Sequence, residues 1–172
     1  MVPVSLRKMP TRCSGTSRLR PPGRLTDGSA RTHGHRRECG RLIMQMARIG
    51  DLESALAVID LYTEDGIWES PQLNARREGK AANLQFSRQL YVDGDAKARG
   101  AHRHFVSNVQ IDVEDAENAT GFAYWMFYQE NSSTLGLKEI AMMGQYKDRF
   151  RKTAEGWRLA RRIVEIAGGA LP

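Results

Sequence analysis

The chain has 172 residues, 41% of them hydrophobic and 27% charged, enough for one domain with a buried core. No apolar run approaches the roughly 18 residues of a membrane-crossing helix, and two cysteines, Cys13 and Cys39, give neither a disulfide framework nor metal-ligand spacing, which fits a reducing cytoplasm. The net charge of +6 belongs to the start of the chain, since residues 1–37 hold nine Lys/Arg against the single acid Asp27 and leave the rest at −2. The domain itself therefore has no basic face, and nucleic acid is not the expected partner.

Residues 1–34 read as a disordered basic tail, rich in Arg, Ser, Pro and Gly and without a periodic apolar face. The same composition suits an organellar transit peptide, or a start codon placed too far upstream. A domain is expected over residues 35–168, followed by a short tail at 169–172. From about His35 the pattern is helical: Cys39, Leu42, Ile43, Met46 and Ala47 recur at three- and four-residue spacing. Gly50 closes that helix and Asp51 caps a second, "DLESALAVIDLYT", with Leu52, Ala55, Leu56, Ile59 and Tyr62 along one side. The turn "EDG" follows, then a short strand "IWESP" stopped by Pro71 and a third helix over about 79–91.

Strands take the remainder: residues 102–113, a polar turn at 114–118, 119–129, the loop "NSSTLG", 138–151, the turn "TAEG" and 156–166. No internal repeat interrupts this order. Helix, helix, strand, helix and a four-stranded meander make an α+β domain, a curved antiparallel sheet with helices on one face. Within "GAHRHFVSNVQIDV", His104 and Val106 share one strand face, whereas Val109, Ile111 and Val113 are out of phase with them. A β-bulge near Ser107 and Asn108 reconciles the two sets and turns His104 to the inside of a curved sheet.

Four words, "GDLESALAVIDLYTEDGIWES", "RHFVSNVQIDVED", "GQYKDRF" and "GWRLARRIVEI", together resemble the SnoaL-like branch of the nuclear transport factor 2-like superfamily, over about residues 36–166. The resemblance implies a cone-shaped domain whose curved sheet and three helices enclose a mostly apolar pocket, as in scytalone dehydratase, ketosteroid isomerase, polyketide cyclases and the small subunits of ring-hydroxylating dioxygenases. His104 falls where scytalone dehydratase and its relatives carry a catalytic histidine, a group able to take one proton and return it; His102 is expected to be exposed. The aspartate that orients this histidine in the dehydratases would fall near Arg48, and no acid stands between Cys39 and Gly50. Tyr128 and Gln129 stand near the place of a second pocket histidine, and Ser70 stands where the isomerase has its carboxylate.

Asp65 is the nearest carboxylate able to stand in, although its place in "YTEDG" suits a turn; Glu69 points away from Trp68 and Ser70. Arg161 shares a face with Trp157, Leu159 and Ile163. It either pairs with Asp148 or Asp65 or holds an anionic group of a substrate. Tyr62, Tyr124 and Tyr146 offer hydroxyls to a ring-shaped ligand, with Trp68 as a wall, and Arg48 joins them as a candidate contact. Trp125 or Phe127, facing outward, would suit a homodimer. There is no glycine-rich phosphate loop, nucleophile elbow or metal-ligand spacing, so no metal or cofactor is expected. Three readings follow: a lyase or isomerase of a small hydrophobic or aromatic ring compound working through His104, a non-catalytic small subunit beside a large dioxygenase subunit, and a metabolite-binding protein.

Overall fold

A computed structural model of the chain describes residues 27–52, 55–92, 102–130 and 138–168. Helix α1, Asp27–Leu52, buries one stripe, Cys39, Leu42, Ile43, Met46 and Ile49, against the sheet. It begins at Asp27, eight residues before the expected start near His35, so residues 27–34 of the expected disordered tail are helical. It runs through Gly50, correcting the expected stop there. A glycine inside a helix costs about 1 kcal/mol without ending it, and Gly50 lacks the positive φ that a terminating glycine adopts. Asp51 therefore belongs to the end of α1 and caps no second helix. The expected second helix is a 3-10 helix, Ala55–Leu61, so among the described residues two α-helices and one 3-10 helix stand in place of the expected three helices. The loop "NSSTLG", residues 1–26 of the expected tail at 1–34, and the tail at 169–172 lie outside the described residues.

Strand β1 spans Tyr62–Ser70 and stops before Pro71 as expected, but it absorbs the "EDG" turn as an irregularity. A Cβ on Gly66 would stand 2.9 Å from the Thr63 carbonyl oxygen and the Tyr62 ring, so only glycine fits the bend. The sequence reading missed β2, Ala75–Glu78, reached by a tight turn in which the Asn74 N–H donates to the Pro71 carbonyl at 3.1 Å. Its four residues, Ala-Arg-Arg-Glu, carry no apolar alternation. Helix α2 follows over Gly79–Val92, and then the meander β3 (His102–Val113), β4 (Asn118–Glu130), β5 (Lys138–Thr153) and β6 (Gly156–Ile166), close to its expected limits.

The six strands stand in the order β2-β1-β6-β5-β4-β3. Strand β1 runs parallel to β6 while all other neighbours are antiparallel, so the sheet is mixed rather than wholly antiparallel. Two bulges decide which side chains face the helices. In β3, Ser107 pairs with Tyr124 and Gln110 with Phe122, with Asn108 at φ 53, so the expected slip is present. His104 and Val106 face in before it, and Ile111 and Val113 pack on the core after it. In β6, Leu159 pairs with Phe150 and Arg161 with Arg149, leaving Ala160 unmatched. That second slip escaped the sequence reading and exchanges the faces of everything beyond it.

The core lies between α1 and the inner sheet face, around Ile43, Phe150, Trp157 and Leu159. Trp125 and Phe127 belong to it, 4% and 6% exposed, which corrects their expected outward direction. The outer face instead shows Phe105, Tyr124, Ile140 and Met143. Among the described residues no helix is long and apolar enough to cross a membrane.

Candidate functional site

A cavity of about 490 Å³ opens between the inner sheet face and the helices, walled by Tyr62, Trp68, Trp125, Phe127 and Tyr146. That is room for a small ring system. His104 reaches it from the start of β3, where the bulge has set its direction, and its ring lies 4.8 Å from that of Phe127. His102 also lines the cavity, half-buried, rather than standing exposed as expected.

Behind His104 stands Asp51, whose carboxylate takes two hydrogen bonds from that one residue. The backbone N–H of His104 donates to Oδ2 at 2.8 Å, and Nδ1 lies 2.6 Å from Oδ1. The Asp51 side chain is only 5% exposed. An ionised carboxylate can only accept, so the proton sits on Nδ1 and Nε2 keeps its lone pair on the other side of the ring. Burial lowers the proton affinity of His104, the Asp51 hydrogen bond raises it, and burial prevails. At neutral pH the ring is therefore uncharged, a base with its orientation fixed from behind.

Asp51 is an acid standing against His104, which the sequence reading sought near Arg48 and found missing. Ala47 and Gly50 line the cavity, and Asp51 lies one helical turn beyond Ala47. Continuing the phase of α1 through Gly50 would have found it. Arg48 is exposed, off the cavity wall.

A second carboxylate partner lies deeper. Arg162 donates through Nε and Nη2 to the two oxygens of Asp148 at 2.8 and 2.7 Å, both side chains at most 5% exposed. Its guanidinium also lies 4.0 Å from the centre of the Tyr146 ring, which stacks on Trp125 at 5.6 Å. The arginine expected inside was Arg161. The Ala160 bulge puts Arg162 there instead and turns Arg161 out, onto Glu69 at 2.5 Å. Asp65 is likewise outside, bonded to Arg151 at 3.1 Å, and Tyr124 lies on the outer face against Phe122, 48% exposed.

Of the expected site residues the structure thus gathers His104, Tyr62, Trp68 and Tyr146, and leaves Tyr124, Arg161, Arg48 and Asp65 outside. Burial pushes the Tyr146 hydroxyl up to about 12 and that of Tyr62 higher still, so both remain donors at neutral pH. The Tyr62 hydroxyl is buried and has no partner among the described residues. No group of three or more metal-ligating side chains occurs among those residues.

The family model described as SnoaL-like domain matches residues 31–163. No curated protein matches the chain. Among solved structures, an NTF2-like protein with a cystatin-like fold from Novosphingobium aromaticivorans is 25% identical, with a TM-score of 0.70 over 87% of this chain and 94% of that one. A protein provisionally assigned as a scytalone dehydratase from the same organism is 18% identical, TM-score 0.67, over 81% and 88% of the two chains. The β subunit of a provisionally assigned aromatic-ring-hydroxylating dioxygenase, again from that organism, is 16% identical, TM-score 0.66, over 81% and 92%. The latter two likenesses are of fold.

Proposed function

This chain belongs to the SnoaL-like domain family, and from that premise we propose that it is a lyase or isomerase of the dehydratase or cyclase kind, acting on a small cyclic substrate by general acid–base chemistry at His104. The observation that carries the reading is the Asp51–His104 pair, Nδ1 to Oδ1 at 2.6 Å, on the wall of an aromatic cavity.

The chemistry follows from the placement of protons. The Nε2 lone pair takes a proton from a carbon next to a ring carbonyl, and the imidazolium that forms is held by the Asp51 carboxylate. A Tyr146 or Tyr62 hydroxyl donates to the carbonyl oxygen as it gains charge. The imidazolium then returns its proton to a departing hydroxyl, which completes a dehydration, or to another carbon, which completes an isomerisation. His104 ends as it began, neutral and protonated on Nδ1.

Proton abstraction is common to both outcomes and is the step to test. In D2O, NMR follows α-hydrogen exchange in a panel of bicyclic ketones, neutral and carboxylated. Acceleration by the wild type that disappears in His104→Gln is the expected result. A wild-type rate no higher than that of His104→Gln across the panel contradicts the reading.

The exposed outer-face group of Phe105, Tyr124, Ile140 and Met143 supports a second element of the proposal, a homodimer joined through that face. The same face, with the likeness to a dioxygenase β subunit, favours the alternative of a partner subunit. A subunit of that kind has no use for an oriented histidine base, and for that reason the enzyme reading is preferred. Work in the cytoplasm, without a cofactor, fits it.

A further inference from the structure

Adjacent arginines on β2 meet opposite ends. Arg76 points outward and is held by Glu69 at 2.7 Å and Glu78 at 2.9 Å. Arg77 points inward and lines the cavity, its guanidinium carbon 4.1 Å from the centre of the Trp68 ring and 3.0 Å from that of Phe86. The two rings are themselves stacked, 6.2 Å between centres. They fix the cation and supply attraction from their faces, but no counter-charge.

The carboxylates near this cavity are otherwise assigned. Asp51 answers His104, and Asp148 answers Arg162. Among the described residues no Asp or Glu pairs with Arg77, and none lines the cavity. Burial pulls Arg77 down to about 10, so at neutral pH it remains a half-buried positive charge without an acid partner among the described residues. The Tyr62 hydroxyl lines the same cavity, buried, protonated and unpartnered among the described residues. A cation and an idle donor lining one aromatic cavity, with no acid on its wall among the described residues, form a site for an anionic oxygen.

We propose that the cavity takes a ring compound bearing a carboxylate, with the carboxylate held by Arg77 and the Tyr62 hydroxyl and the ring reaching toward His104. The proposal rests on reading the cavity as a substrate site and adds the charge of the substrate. The placement also gives a reason for a cation on β2 to face in rather than join Arg76 among the outer acids: it orients the ring so that the reacting carbon meets Nε2 rather than the aromatic wall.

The test compares 2-naphthoate with its neutral isostere 2-naphthamide by isothermal titration calorimetry on the full chain. The wild type should bind the carboxylate at least about tenfold more tightly, the scale of one charge-assisted hydrogen bond. Arg77→Gln should erase that preference, and Arg77→Lys should keep part of it, with melting temperatures recorded to show that both variants fold. His104→Gln should keep the preference in full. Equal affinities in the wild type, no binding of either compound, or a preference that survives in Arg77→Gln would overturn the proposal. Preferential binding without any accelerated α-hydrogen exchange would uphold the anion site and overturn the enzyme reading, so the two failures are distinguishable.

Discussion

Two pairs beside the cavity share one plan and differ in one respect. In each, a buried aspartate backs a nitrogen-bearing side chain that reaches the cavity: Asp51 behind His104, and Asp148 behind Arg162. Arg162 cannot release a proton: burial disfavours its charge, and the Asp148 carboxylate outweighs that and holds it as a fixed charge beneath Tyr146. His104 is 26% exposed at its side chain, and burial holds its proton affinity below that of an ordinary histidine. The same carboxylate backing therefore holds a fixed charge in one place and a neutral, titratable ring in the other, and the proposed base is the second. The decisive variable is the acidity of the backed group, together with its access to the cavity.

The comparison can be broken from either side. The largest effect is expected at the locked pair: Asp148→Asn leaves Arg162 buried without its partner and should cost about 3–5 kcal/mol of stability, read as a lowered melting temperature. His104→Gln should do the reverse, lowering α-hydrogen exchange by roughly 10²- to 10⁴-fold while the melting temperature changes little. Asp51→Asn should fall between, reducing exchange by about 10²-fold through loss of the tautomer and orientation. Its rate should also show a shifted pH dependence. The wild-type acid limb inflects below the ordinary histidine value of about 6.5, because burial disfavours the imidazolium. Removing the hydrogen bond that raises the proton affinity should move the limb lower still.

Stability follows the same sign. His104 has a depressed folded-state proton affinity, so the unfolded chain takes up protons first on acidification. Full stability is held above about pH 6.5 and is lost as the pH falls through that value toward the lower folded one. This acid-side loss should be absent in His104→Gln, as checked by melting across pH 5 to 8. The smallest effect is expected outside: Glu69→Gln removes the surface partner of Arg161 and should cost less than about 1 kcal/mol.

The strands of the meander were legible because they alternate apolar and polar residues between clear turns, and the β3 bulge announced itself as a break in that alternation. The β6 bulge did not. Arginine stands at both 161 and 162, so either phase of the strand carries one inward, and the register that chooses between them is set by β5. Gly50 misled in a different way. Glycine marks helix ends often enough to suggest a stop, but the buried stripe of α1 outweighed its cost and carried Asp51 one turn past the cavity-lining Ala47. His104 was legible from its strand phase and its resemblance. Asp51 was hidden by a misplaced helix end and Arg77 by a strand of four residues with no apolar pattern.

The central claim is that Asp51 holds His104 as a neutral base with its proton on Nδ1. The most direct measurement is a ¹⁵N NMR titration of the imidazole nitrogens, with His104→Gln assigning His104 among the four histidines. The account predicts a neutral ring at pH 7, protonated on Nδ1, that titrates below about 6.5. A ring protonated on Nε2, or an imidazolium that persists at pH 7, would contradict it.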